Sequence, residues 1–454
     1  MSQRSNRIVS VFAALLIFCR VGTASAESVT LEAGSETPIV ETGAPRTLTV
    51  RALVKPSRAV TNRAPLAIAL VVDKSGSMGA DGKMENAKRG ALEALELLRR
   101  EDMAAVVAYD SEAFVLVEAT PADKTDSFRR AVSRLKAGGN TGLYYGVSSG
   151  AAEIERLARK GYIPRIILLS DGLANVGPSS VRELAALGRE LANREITITT
   201  IGLGLDYDED LMTALASESG GNSYFAKTGG MLPDIFRRDM EDAVTLTGRS
   251  VRVTFTCGDL VRPIGTIGRE GTVERDKIET RIYNLYGAEK YAMFELEIPD
   301  MPSGTTLRAG TVRVEYTDPS SGGSVVLTSP LDVKYTDDPS EAAGSRSEEI
   351  AAQAEMAKNA RIREDVVRLA DEGRSDEAVS LLRSRAEDMS MKPIAASAPM
   401  QAEITEFEAL ASEIEESGAM SNEQRKYSLN SAYISKNQQS AVSEDAEEDR
   451  KDQD

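Results

Sequence analysis

The chain has no histidine, no tryptophan and only two cysteines in 454 residues. Without histidine, Ser-His-Asp and Cys-His catalysis, His-ligated zinc and the His-Glu-x-x-His metalloproteases are excluded. A site built from oxygen donors alone is untouched. Positive charge is in short supply: 54 Lys and Arg stand against 71 Asp and Glu, a net charge of −17. That balance argues against nucleic acid, whose binding depends on neutralising phosphates, and against an anionic membrane surface. The excess reads as a contribution to solubility. Long hydrophobic runs are scarce too. The apolar run at 8–18, broken by Ser10, is too short to span a bilayer, and no other segment reaches that length.

The first residues instead have the pattern of an export signal. Arg4 and Arg7 precede the apolar run, and Ala24-Ser25-Ala26 is a small-x-small cleavage pattern. A signal peptide over 1–26 is expected, with no membrane span in the mature chain and residence in the periplasm, at the cell surface or in the medium. Phe18 disfavours Cys19 as a lipidated cysteine. With Cys19 removed, Cys257 has no disulfide partner and reads as a buried structural thiol.

What is present is a set of hard oxygen donors at three separated points. An apolar run at 66–72 ends in Asp73-Lys74-Ser75-Gly76-Ser77. Thr141 lies in Gly138-Gly139-Asn140-Thr141-Gly142, and a second apolar run at 166–169 ends in Ser170-Asp171-Gly172. An apolar run opening into polar and glycine residues reads as a buried parallel strand entering a loop. In open α/β sheets, ligands bind beyond the carboxyl ends of the strands. Alternate side chains of an extended loop share a direction, so Asp73, Ser75 and Ser77 can converge, with Gly76 allowing a tight turn. Oxygen-only donors suit Mg²⁺, Ca²⁺ or Mn²⁺. Taken alone, Asp-x-Ser-x-Ser also fits an ordinary Asx-turn loop; the other two motifs favour the metal reading.

These residues resemble a von Willebrand factor type A (vWA) domain of the bacterial exported type, with a complete metal-ion-dependent adhesion site. The resemblance covers roughly 62–247. It implies direct ligation by Ser75 and Ser77, mostly water-mediated roles for Asp73 and Asp171, and Thr141 acting directly or through water. It also implies capture of an Asp or Glu carboxylate presented by a protein partner.

The rest of the chain divides by pattern. Strands are expected at 66–73, 103–109, 114–117, 165–170, 196–203 and 223–226. Helices are expected at 84–100, 127–135, 143–158, 181–193, 208–218 and 232–246. This alternation predicts an α/β, doubly wound, mostly parallel, Rossmann-like sheet at 62–247, with 114–117 as an antiparallel edge. Alternation at 251–256, 308–316 and 324–335 predicts an antiparallel β-sandwich over 248–338. The segment 27–61 carries a half-buried strand at 46–54, expected to join that sandwich, which makes the α/β unit an insertion. Residues 339–418 read as helices, and 419–454 as a polar, acidic, largely disordered tail.

The expected function is an exported, metal-dependent, adhesion-type binding module and not an enzyme. One alternative is an envelope scaffold whose ion only stabilises loops. A metal-assisted hydrolase, with Asp110 or Glu112 as base, is weaker: a P-loop is missing, and the aspartic-protease motif is neither intact nor duplicated.

Overall fold

The computed structural model describes residues 28–57 and 64–439. The expected signal peptide, Cys19 and the acidic stretch 444–454 lie outside the described residues.

Three strands come first: β1 (Val29–Ser35), β2 (Ile39–Glu41) and β3 (Arg46–Pro56). The α/β unit follows as β4 (Leu66–Asp73), α1 (Lys83–Glu96), β5 (Met103–Tyr109), β6 (Ala113–Pro121), α2 (Thr125–Ser133), α3 (Leu143–Ala158), β7 (Ile163–Ser170), α4 (Val181–Asn193), β8 (Thr197–Leu203), α5 (Glu209–Ser219), β9 (Ser223–Ala226) and α6 (Leu232–Val244). Its sheet has the order β6-β5-β4-β7-β8-β9. Every pairing is parallel except β5–β6, the hairpin at the edge. Every residue of β4 and β7 is buried, because helices cover both faces. Leu66, Ile68, Leu70 and Val72 of β4 face a core shared with α1, α2 and α6. The alternate residues Ala67, Ala69 and Val71 face α3, α4 and α5.

The second β-domain adds β10 (Gly248–Cys257), β11 (Arg262–Ile267), β12 (Gly271–Val273), β13 (Lys277–Leu285), β14 (Lys290–Ile298), β15 (Thr306–Thr317) and β16 (Ser324–Thr336). Two sheets form, β1-β3-β14-β11 and β12-β13-β10-β15-β16-β2. The one parallel contact among these described strands is β16–β2. The α/β unit thus leaves the β-domain after β3 and returns at β10. Cys257 is partly exposed rather than fully buried; burial, with Asp276 nearby, pushes its thiol up to about 11, so it is a poor nucleophile.

The half-buried reading of 46–54 needs correction, because β3 is buried on both faces from Leu48 to Val54. The cover comes from far along the chain. After α7 (Pro339–Gly344), helix α8 (Glu348–Asp371) lays Ile350, Ala354 and Ala357 against Ile267 and Met293. Arg51 of β3 reaches Glu349 at 2.5 Å and Gln353 at 2.8 Å. Helices α9 (Ser375–Ser390) and α10 (Ala398–Ser417) pack with α8 around Leu382, Met400 and Phe407.

The boundary of the polar tail also needs correction. Residues inside the expected 419–454 tail form α11 (Asn422–Asn437), opened by a Ser421–Gln424 capping box. Polar contacts dock this helix, so no apolar stripe announced it. The Lys426 Nζ is buried, donating to the Tyr207 carbonyl at 2.6 Å and pairing with Glu209. Tyr433 donates to the Gly221 carbonyl at 2.7 Å. Just after the helix, the Gln439 amide pairs with the backbone of Ser223 on the edge strand β9, at 3.1 and 3.0 Å. Gln438 does the same for Tyr291 on β14, at 2.8 and 3.1 Å.

The base of the parallel sheet, at the amino ends of its strands, joins the β-domain through buried charge. Arg165 of β7 meets Asp239 of α6 at 2.7 Å and donates to Tyr286, beyond the end of β13. Thr199 and Asn222 also donate to Asp239, at 2.8 and 3.0 Å.

Candidate metal centre

The opposite end of the sheet is different. Asp73 ends β4, and its side chain is fully buried. Its Oδ1 accepts the backbone N–H of Ser75 at 2.8 Å, which is an Asx-turn. Its Oδ2 accepts from Ser170 at 2.8 Å and from Tyr109 at 3.3 Å. The Asx-turn of the ordinary-loop reading is present, and it brings the two serines side by side. Ser75 is buried and Ser77 exposed, with their hydroxyls 3.1 Å apart.

Asp171 follows the end of β7 and is also fully buried. Ser77 donates to its Oδ1 at 2.6 Å, and Lys83, the first residue of α1, to its Oδ2 at 2.9 Å. The third loop closes over the pair. Gly76 N–H bonds the Gly139 carbonyl at 3.1 Å and Gly138 N–H bonds the Lys74 carbonyl at 2.7 Å. Gly139 has φ +85°, and a Cβ there would meet Asp110 at 2.9 Å, so the lacing requires glycine. Thr141 is buried, and Asn175 accepts its backbone N–H at 2.9 Å. A Cβ built on Gly172 would lie 3.3 Å from the Ser77 hydroxyl and 3.5 Å from that of Thr141. The two hydroxyls thus face a common point that a larger residue would fill.

All five residues expected from the sequence sit at this end of the sheet. Asp73, Ser75, Ser77 and Asp171 are linked directly, and Thr141 approaches from the neighbouring loop. Sequence reasoning missed Tyr109 and Ser170 as supports of Asp73, and Lys83 altogether. Ser170 lies inside a quoted motif. Lys83 carries one signal, a positive side chain at the positive end of a helix, where it opposes the helix dipole. Asp110 is not a free base. Burial works against its carboxylate, but Lys74 and the backbone of Glu112 and Ser111 hold its pKa below the usual range.

The electrostatics set this end apart. Burial pushes the Asp73 carboxyl up to about 6, against the hydrogen bonds from Ser75 and Ser170, and the nearby Asp171 adds to the rise. Two buried carboxylates and three hydroxyls form a hard, oxygen-only donor set, which fits a small divalent cation. Among the described residues, no cluster of three Asp, Glu or Cys offers a rival metal site. A cleft of about 1040 Å³ lies elsewhere, among α5, β12, β13, α8 and α11, and none of the five residues lines it.

Comparison with known proteins decides the family of this unit: residues 67–238 match the von Willebrand factor type A domain. The chain contains a vWA domain. A Synechocystis protein described as uncharacterized is 26% identical over 285 residues, covering 59% of this chain and 66% of its own. The inter-alpha-trypsin inhibitor heavy chain H3 of Pongo abelii is 26% identical over 166 residues, 35% of this chain and 19% of that one. The matched stretch spans less than two thirds of each relative. A solved structure, a von Willebrand factor type A protein from Catenulispora acidiphila, superposes with a TM-score of 0.70 at 16% identity, covering 93% of this chain and 99% of that one. The likeness in fold therefore extends past the vWA domain to the sandwich and helices. vWA domains typically mediate protein–protein interaction or adhesion. No helix among the described residues is long and apolar enough to cross a membrane.

Proposed function

We propose that this protein is an exported binding module whose vWA domain holds a divalent cation and uses it to capture an acidic side chain of a protein partner. One observation carries the reading: Asp73, Ser75, Ser77 and Asp171 are joined in one hydrogen-bonded cluster at the carboxyl ends of β4 and β7, with Thr141 beside them. Ser75, Ser77 and Thr141 would supply neutral oxygens, and Asp73 and Asp171 would orient the surrounding waters. A bound Mg²⁺, or Ca²⁺ or Mn²⁺, would supply a Lewis-acidic position for a partner carboxylate. The Asx-turn and Tyr109 fix Asp73, while the lacing of Gly76 to Gly139 keeps the loops in register. Ser77 is exposed, so a partner can reach the cluster. An ion that merely steadies the loops is the weaker reading, because the loops already hold one another through hydrogen bonds of the chain itself. Of the two acids expected as a catalytic base, Asp110 is engaged by Lys74, which weighs against the catalytic reading at that position.

The test is capture from an envelope extract by the full chain, with Mg²⁺ and with EDTA, comparing wild type with Asp73→Ala. Capture should require both the ion and Asp73, and should be lost when one Asp or Glu of the captured protein is changed to Ala. Capture that survives EDTA contradicts the mechanism. Export is tested separately: the mature chain should begin at Glu27, and an amino terminus at Met1 or a lipidated Cys19 would refute it.

A further inference from the structure

Lys83 is the feature of the site that the reading above does not use. Its ammonium lies 2.9 Å from Asp171 Oδ2, with the lysine side chain 12% exposed and the aspartate 0%. A Cβ on Gly204, in the turn after β8, would come within 3.5 Å of the same nitrogen. The lysine head is thus enclosed between α1, Asp171 and that turn. Helix formation does not explain its position, because a cation in the first turn opposes the helix dipole. The other lysine of the motif, Lys74, is committed to Asp110 and stacks its ammonium over the Phe114 ring. Lys83 is therefore the cation held against Asp171, whose carboxylate also raises the cost of charge on the neighbouring Asp73.

We propose that Lys83 is a tethered counter-cation of the metal site, which balances Asp171 in the metal-free protein and opposes the arriving divalent ion. This inference rests on the metal-binding reading. Without metal, two carboxylates taken out of water need a positive charge nearby, since a buried unpaired charge is costly. A bound ion would lie near the same carboxylate as the ammonium, and the two cations would repel each other across a poorly solvated space. Binding the ion then requires Lys83 to give up part of its contact. The coupling is reciprocal: the ion weakens the lysine contact by the same factor by which that contact weakens metal binding, so loosening the contact should tighten metal binding up to that factor. Lys83 thereby sets the metal concentration at which the site fills, and keeps the fold intact below it.

The experiment is a calorimetric titration of the full chain with MgCl₂ and with MnCl₂, for wild type, Lys83→Gln, Lys83→Arg and Asp73→Ala. Thermal melting in EDTA is measured alongside. Removing the charge in Lys83→Gln should tighten both ions about tenfold or more and lower the melting temperature in EDTA. Lys83→Arg keeps the charge and should bind no more tightly than wild type. Unchanged or weaker binding by Lys83→Gln overturns the proposal. So does tightening by Lys83→Arg equal to that of Lys83→Gln, since charge would then not be the cause. If wild type binds, Asp73→Ala does not, and Lys83→Gln equals wild type, the metal site stands and only the counter-cation role falls. If neither wild type nor Lys83→Gln binds either ion, the metal reading itself falls.

Discussion

The two ends of the parallel sheet bury charge in opposite ways. At the base, Asp239 is met by Arg165 at 2.7 Å, with Thr199 and Asn222 as further donors. At the carboxyl ends, Asp73 is met by hydroxyls and a backbone N–H, and among the described residues the ammonium of Lys83 pairs with Asp171 alone of the two carboxylates. A buried charge paired within the chain does a structural job, here tying β7 to α6 while Arg165 also reaches Tyr286 of the β-domain. Buried carboxylates that outnumber the cations beside them, on loops that reach solvent, form a site short of positive charge. A divalent ion would correct that shortage.

The comparison can be broken most severely at the base. Arg165→Met leaves Asp239 buried without its cation, and should destabilise the protein by about 3–5 kcal/mol, read from denaturant unfolding. A loss below about 1 kcal/mol, the value of an exposed pair, would mean that the base is not held by charge.

Lys426 sharpens the comparison from α11. It is buried, with the Tyr207 carbonyl and Glu209 as partners, so it should behave like the base and not like Lys83. Lys426→Met should cost about 1.5–3 kcal/mol, the range for hydrogen bonds to charged groups. Its effect on Mg²⁺ affinity should be small. A large gain in affinity would blur the distinction between a locked cation and a yielding one.

A third test is a pH slope. Lys290, at the start of β14, is buried beside Tyr286. Burial first, then Arg269 and Arg165, bring its pKa from 10.5 down to about 7, against the opposing pull of Asp242. Between those values the unfolded chain binds more protons than the folded one, so this group makes stability rise with pH. Below pH 7 its full penalty is present. The difference in unfolding free energy between wild type and Lys290→Met should therefore vary between pH 7 and 10, no faster than about 1.4 kcal/mol per pH unit. A flat difference would show that Lys290 keeps its ordinary proton affinity.

How far the fold could be read in advance follows from the same physics. Strands β4 and β5 were legible to the residue, because a strand buried on both faces is a near-continuous apolar run with sharp ends. The motifs ending β4 and β7 were legible because polar and glycine residues follow those runs at once. Strands β11, β13 and β14 were not separately legible, though the shift to an all-β pattern was. The two-sided burial of β3 depends on α8, which no local window contains. Helix α11 was hidden because side-chain amides, Lys426 and Tyr433 hold it in place of an apolar stripe. Lys83 was hidden because its head acts some distance from its backbone, on a carboxylate carried by another strand.

The central claim is that the end of the sheet short of positive charge holds a divalent ion through these residues. Its most direct test is a calorimetric Mg²⁺ titration of the full chain against Asp73→Ala, with melting curves recorded in EDTA. Wild type should take up Mg²⁺, and Asp73→Ala should bind it about 10- to 100-fold more weakly, as loss of a residue that orients the ligands does. The metal-free melting temperature of the variant should hold or rise, because a carboxyl disfavoured by burial has been removed. An Asp73→Ala titration indistinguishable from wild type would contradict the account.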